Sequence, residues 1–294
     1  MVVLLALASA GLYGSSSVLM HSKASTAPAE RSLRPGLLVH LAHEPLWLAG
    51  FGAQAMGFGL QAAALGLGSL AIVQALGPSS LLVALPLAAS WVKTPMHRSA
   101  WAGVAATTGG LAIFLLIASP GSGWSQPTPR AWLTLFAAAL LMASGLVVFG
   151  SRRSGPIRAV TFGTASGSVL AVNAALTKIV VSRFSHGIGS GLTSWEVYVL
   201  PWLLFLGLLL MQSSFQAGRI EWSLPALTVS NPVLSVTIGA TAFHEHFTAH
   251  GSTFIALATS LIVTTLGIIF LARSPALKEI HQPARPRSAN CESA

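Results

Sequence analysis

Nine stretches of about twenty residues run through this chain with almost no charge, and that pattern limits its fold more than any single motif does. A helix that crosses hydrocarbon needs about 20 apolar residues. Such runs fall at about 1–21, 46–66, 69–91, 101–119, 131–150, 159–182, 197–217, 224–243 and 252–272. In lipid a backbone must satisfy its own polar groups, so these runs are expected to be helices. Composition agrees: 53% of residues are hydrophobic and 8% are charged, where a soluble protein carries about 25% charge. A soluble enzyme, a disordered chain and a nucleic-acid binder are excluded. The expectation is an all-α polytopic membrane protein with about nine transmembrane helices.

The formal charge of +9 comes from 16 Lys and Arg against seven acidic residues, all Glu. In a chain this apolar, basic residues mark cytoplasmic loops. If nine spans alternate, one face receives Lys23, Arg31, Arg34, Lys93, Arg98, Arg152, Arg153, Arg158, Arg219, Arg273, Lys278, Arg285 and Arg287. The other receives Arg130 and Arg183, with Lys178 just inside a span. This bias puts the N-terminus outside and a tail, 273–294, in the cytoplasm. Trp47, Trp91, Trp101, Trp132, Trp195 and Trp222 fall near span ends, where indoles settle in the headgroup layer. The first run has no basic segment before it and its charges follow it, so it reads as a retained helix and not a cleaved signal peptide. Cys291, the single cysteine, allows no disulfide and no cysteine-based metal site.

The spans group as four, one and four. A first repeat covers 1–119, including a cytoplasmic loop at 22–45 whose Leu37–Leu41 part suits a short interfacial helix. A linker helix follows at 131–150, then a second repeat at 159–272. Each repeat reads as a helix, a polar loop, a tight hairpin and a last helix. The hairpins turn at Gly66 and Gly68 and around Arg219–Ser223. An odd linker sends the second repeat into the membrane the other way up, the inverted repeat of many secondary transporters.

The third helix of each repeat carries prolines: Gly77-Pro78 and Pro86 in one, Pro225 and Asn231-Pro232 in the other. Proline frees the carbonyl four residues earlier, here those of Gln74, Leu82 and Thr228. Broken helices in matching positions point to a substrate site; packing kinks are the plainer account.

Polar residues inside the spans extend the same reading. Thr228, Asn231 and Ser235 recur on one helical face, continued by Gly239 and Ala242, while Val233, Val236 and Ile238 point elsewhere. Such a face suits substrate or interhelical hydrogen bonds, the latter worth about 0.6 kcal/mol each. Gln54, Gln61, Gln74, Gln212 and Gln216 are expected to be buried amides. Gln74, beside a proline break, is the strongest of them; Gln212 and Gln216 read as interfacial. Ser166, Asn173 and Thr177 share a face of the sixth span, next to a small-residue face of Gly163, Gly167, Ala171 and Ala174 that permits close helix approach. Lys178 lies about one turn from the outer end. It can snorkel to the interface or turn inward towards a substrate carboxylate.

The glutamates all fall in loops, tails or at span ends, which counts against carboxylate-driven antiport and against an acidic channel ring. His244, Glu245, His246 and His250 form an outer-loop cluster, with His186 on the same side; without a fixed ligand spacing, a solvated loop is the simpler account than a metal site. P-loop, HExxH, GxSxG and CxxC motifs are lacking, so neither enzyme activity nor a cofactor is expected.

Three segments resemble the drug/metabolite transporter superfamily, EamA-like branch. LPALTVSNPVLSVTIGATAFHE (Leu224–Glu245) looks like its penultimate helix, which is typically followed by a Glu, here Glu245. GSLAIVQALGPSSLLVALPLA (Gly68–Ala88) resembles the matching helix of the first half. GLYGSSSVLMHSKA (Gly11–Ala24) is similar to the family's glycine- and serine-rich opening helix. The resemblance implies an inverted-repeat carrier in a bacterial plasma (inner) membrane, moving small metabolites or drugs, often outward. The family usually has ten helices with both ends inside, so this chain shows one early helix fewer; a helix upstream of Met1 would restore the count. Nine spans also resemble, more distantly, the NIPA-like magnesium transporters, a likeness that the lack of buried acids opposes.

The expected function is therefore a secondary transporter working by alternating access, with Gln74, Pro78, Asn173, Lys178, Thr228, Asn231, Pro232 and Ser235 as substrate-binding residues. The expected partners are the lipid bilayer and a small-molecule substrate; a homodimer is compatible, a nucleic acid is not. Alternatives are a magnesium or other divalent-cation transporter and a non-transporting membrane scaffold, in which the polar stripes only join helices.

Overall fold

Prolines and small capping residues divide the apolar runs into helices at the positions their chemistry dictates. The computed structural model describes residues 1–28, 30, 32–92, 127–218 and 220–243, with scattered positions between 102 and 113 and between 259 and 267. The elements are α1 (Val2–Ala24), α2 (Pro35–Leu41), α3 (Pro45–Leu67), α4 (Leu70–Ala75), a 3-10 turn (Gly77–Ser79), α5 (Ser80–Val92), α6 (Pro129–Ser151), α7 (Gly155–Ser185), α8 (Ile188–Leu192), α9 (Trp195–Ala217) and α10 (Ile220–Ala242). Among the described residues there is no strand. The expected runs at 101–119 and 252–272 lie mostly outside the described residues. The cluster His244, Glu245, His246 and His250 and the tail 273–294 lie wholly outside them.

Pro35, Pro45 and Pro129 each open a helix, where the missing N–H costs nothing. Gly68 ends α3 in extended conformation. The Ser69 hydroxyl then accepts from the Ile72 N–H at 3.2 Å and starts α4, an ordinary N-cap. Among the described residues, four helices are both long and apolar enough to cross a bilayer: α1, α6, α7 and α9. α3 and α10 match them in length, but α3 is diluted by Gly and Gln and α10 by Pro, Thr, Ser and Asn.

One expectation is corrected. The first proline-bearing segment is interrupted, with the Gly77–Ser79 turn separating α4 from α5. Its counterpart is not: α10 runs unbroken from Ile220 to Ala242 through Pro225 and Pro232. A single internal proline removes one backbone bond and bends a helix without ending it when its neighbours keep theirs.

α7 is the central post. Its 31 residues, at about 1.5 Å each, extend about 46 Å, more than the ~30 Å hydrocarbon core. It packs on α9 and α10, with α6 and α3 against its other sides, just as α1 packs on α3 and α5. α6 stays on the flank: only 11% of its apolar window is buried, against 83% for α7.

The direction of α7 relative to α1 follows from their neighbours. The end of α1 meets the end of α9, where His21 Nε2 lies 3.5 Å from the Gly218 carbonyl. Gly218 in turn packs on Ala159 and Gly155 at the start of α7. At the opposite end, Gly68 packs on Val2, and Gly66 packs on Val181 near the end of α7. α1 and α7 therefore run in opposite senses.

The same helix-joining device occurs in both places. Ser9 Oγ donates to the Gly57 carbonyl across α1–α3, and Ser166 Oγ donates to the Gly207 carbonyl across α7–α9, both at 2.8 Å. Replacing Ser9 or Ser166 by Ala is expected to lower stability by about 0.6 kcal/mol each. Thermal unfolding of the detergent-solubilised protein measures this; a loss of several kcal/mol from either would mean the serine does more than join two helices.

Candidate functional site

Seven helices contribute side chains to one partly open cavity of about 440 Å³, within the ~300–1,000 Å³ usual for small-molecule sites. From α1 come Ser9, Tyr13 and Ser17, spaced four apart and so on one face. α3 adds Phe51, Gln54, Phe58 and Gln61, again one helical stripe, and α9 adds Leu204, Phe205, Leu208 and Met211. Gln74 enters from the last turn of α4, Asn173 and Thr177 from α7, and Thr228, Asn231 and Pro232 from α10. No charged side chain lines the cavity among the described residues.

Local chemistry fixes several of these groups. Tyr13 OH donates to Gln61 Oε1 at 2.5 Å, and Ser16 Oγ donates to Gln54 Oε1 at 2.9 Å, tying both α3 amides to α1. Ser235 Oγ donates to Asn231 Oδ1 at 3.2 Å. Ser79 Oγ donates to the Leu76 carbonyl at 2.5 Å, securing the turn that ends the α4 segment beside Gln74. Two buried polar atoms on the wall are left without a hydrogen-bond partner: Gln74 Nε2 and Asn173 Oδ1. Leaving such a group unpaired costs about 1–3 kcal/mol.

Five of the eight expected site residues line the cavity together: Gln74, Asn173, Thr228, Asn231 and Pro232. Pro78 and Ser235 are buried behind the wall and act on their neighbours, one by ending α4 and the other by holding Asn231. Lys178 does not line it. The lysine is buried, with its ammonium 5.0 Å from the centre of the Phe243 ring, so it neither snorkels to water nor reaches the cavity.

Two further expectations change. Gln212 is not interfacial: it is fully buried and accepts from Trp47 Nε1 at 3.2 Å. Trp47 is itself buried by this contact. Gln216 Nε2 donates to the carbonyls of Ala27 and Pro28. Glu196, at a span end as expected, is nevertheless buried in the first turn of α9, where the helix N-terminus favours an anion.

Sequence reasoning missed Ser9, Tyr13 and Ser17, although their spacing of four was a usable signal. It also missed Phe51, Phe58 and Phe205, for which an apolar run gives none.

Beyond Met211 the cavity ends in an apolar plug. Met20, Ala24, Leu37, Leu41, Trp47 and Phe215 pack there with Met211, so α2 and the ends of α1, α3 and α9 close that end. Outside the plug, Lys23 Nζ pairs with Glu44 at 2.7 Å. The lysine's hydrogen bond and charge hold the Glu44 carboxyl below the usual carboxylate range. An exposed pair of this kind contributes little stability.

The described residues thus form an all-helical bundle with four helices long and apolar enough to cross a membrane, around a ligand-sized cavity that no charged side chain among them lines. An uncharacterized protein of Corynebacterium glutamicum is 28% identical over 273 residues, covering 92% of this chain and 94% of that protein. No family model matches the chain, and no solved structure does.

Proposed function

We propose that the protein is a secondary carrier of small organic molecules in a bacterial plasma membrane, working by alternating access about this cavity. The observation that carries the reading is the wall itself: Gln74, Asn173, Thr228 and Asn231, from three different helices, converge on one space. The opposed courses of α1 and α7, and the repeated serine-to-glycine bond, support two counter-oriented repeats of the kind such carriers use. A scaffold whose polar stripes only join helices would leave no cavity and no unpaired amide atoms. The membrane sidedness read from the basic residues then puts the Phe215 plug at the cytoplasmic end, and the protein is captured closed on that side. The resemblance to drug/metabolite transporters adds export as the expected direction.

Proteoliposomes exposed to a metabolite panel, with uptake read by mass spectrometry against protein-free liposomes, test the proposal. Gln74→Leu and Asn231→Leu are each expected to cut flux about tenfold, the effect of losing one buried hydrogen bond of about 1.4 kcal/mol, with size-exclusion profiles unchanged. Wild-type flux in both variants, or no compound moving at all, would remove the proposal.

A further inference from the structure

The cavity's polar groups specify more than a carrier. Gln74 and Asn173 are 2% and 3% exposed, both line the cavity, and each leaves one atom unpaired. Gln74 Nε2 is a donor and Asn173 Oδ1 an acceptor. Turning both terminal amides over exchanges these roles and still leaves one donor and one acceptor unpaired. A ligand satisfying them must bring an acceptor and a donor of its own.

The wall also limits charge. An ion entering this space loses its hydration and meets no opposite charge in return, which is strongly unfavourable. Lys178, the nearest cation by sequence to the Asn173–Thr177 stretch, is turned towards Phe243 instead. Much of the remaining wall is apolar and aromatic, and two of its members, Phe51 and Phe205, are about 40% exposed. That suits an amphipathic molecule with a flat apolar body.

We infer that the cavity binds an uncharged amphipathic compound carrying both a hydrogen-bond donor and an acceptor, of which an aromatic carboxamide is the simplest. The acceptor carbonyl takes the Gln74 N–H, the donor N–H goes to Asn173 Oδ1, and the ring lies along the Phe wall. The inference deepens the carrier reading and rests on it for the identity of the cargo.

Four compounds of one shape separate the possibilities on the purified full chain: cinnamamide, methyl cinnamate (no donor), cinnamate (anion) and cinnamylammonium (cation). Cinnamamide is expected to raise the melting temperature by at least about 2 °C at saturation and to bind about tenfold more tightly than methyl cinnamate. The two ions are expected to give no shift. Asn173→Leu is expected to erase the preference for amide over ester, and Asn173→Asp to weaken the amide while leaving the fold intact by size exclusion. Equal stabilisation by amide and ester in the unaltered protein, a larger shift from either ion, or no shift from cinnamamide overturns the inference. Binding of cinnamamide without its movement across proteoliposomes upholds the site and removes the carrier reading. Transport of a charged compound with no cinnamamide binding upholds the carrier and removes this assignment.

Discussion

Joining residues 66 and 181 by a disulfide is expected to reduce transport to background. Gly66 stands in the last turn of α3 and Val181 near the end of α7, so one comes from each of the two proposed repeats. A Cβ placed on Gly66 lies 3.8 Å from Val181 Cβ, matching the ~3.8 Å mean of natural disulfides. The Val181 methyl that crowds this position disappears in the same double replacement, Gly66→Cys with Val181→Cys. Replacing the lone Cys291 by Ser leaves only the engineered thiols to react. If the halves rock about the cavity, this end must open during each cycle, and a covalent strap prevents it. The reduced protein is expected to transport normally, the oxidised protein not at all, and dithiothreitol to restore flux. Full flux through a protein whose cross-link is confirmed by mass spectrometry would show that α3 and α7 do not part at this end, and the rocking mechanism would fall.

Several elements were open to a reader of the sequence because their causes are local. Hydrocarbon demands long uncharged runs, and the described helices fall where those runs lie. Three prolines at helix starts, Gly68 at a hairpin and the short apolar stretch after Pro35 are equally local signals. What stayed hidden depends on neighbours. Pro78 and Pro232 look alike in sequence, yet Pro78 follows Gly77 and its turn is secured by Ser79, whereas Pro232 follows an Asn231 held by Ser235 one turn on. The first segment breaks and the second runs on unbroken. Angular position matters as much. Adjacent helical residues differ by about 100°, so Thr177 reaches the cavity while Lys178 turns to Phe243. An intramembrane lysine attracts a functional reading from sequence; here one step of rotation takes it out of the site. The site's aromatic wall was invisible for the opposite reason: Phe51 and Phe205 are ordinary members of apolar runs, and only the helices around them make them a wall.

Among single replacements, Gly14→Val is expected to be the most damaging to folding. α1 crosses α5 so closely that a Cβ on Gly14 would press into the Ser80 carbonyl and lie 3.1 Å from the Ala84 nitrogen. Both obstacles are backbone atoms, so no rotamer change relieves the clash; the helices themselves must separate. Overpacking where side chains can adjust costs about 1–3 kcal/mol, and a backbone obstacle puts this site at or above the top of that range. A folded protein has only about 5–15 kcal/mol in reserve, so most of the monodisperse material should vanish from fluorescence-detected size exclusion. Gly11→Val provides the control within the same helix. A Cβ there meets only Val83 Cγ2 at 3.8 Å, an ordinary contact, and that variant should elute and melt nearly as the parent does. Equal behaviour of the two variants would mean that α1 and α5 are not in backbone contact at Gly14. The seating of α1 against the turn that positions Gln74 would then be wrong, and with it the geometry of the cavity wall.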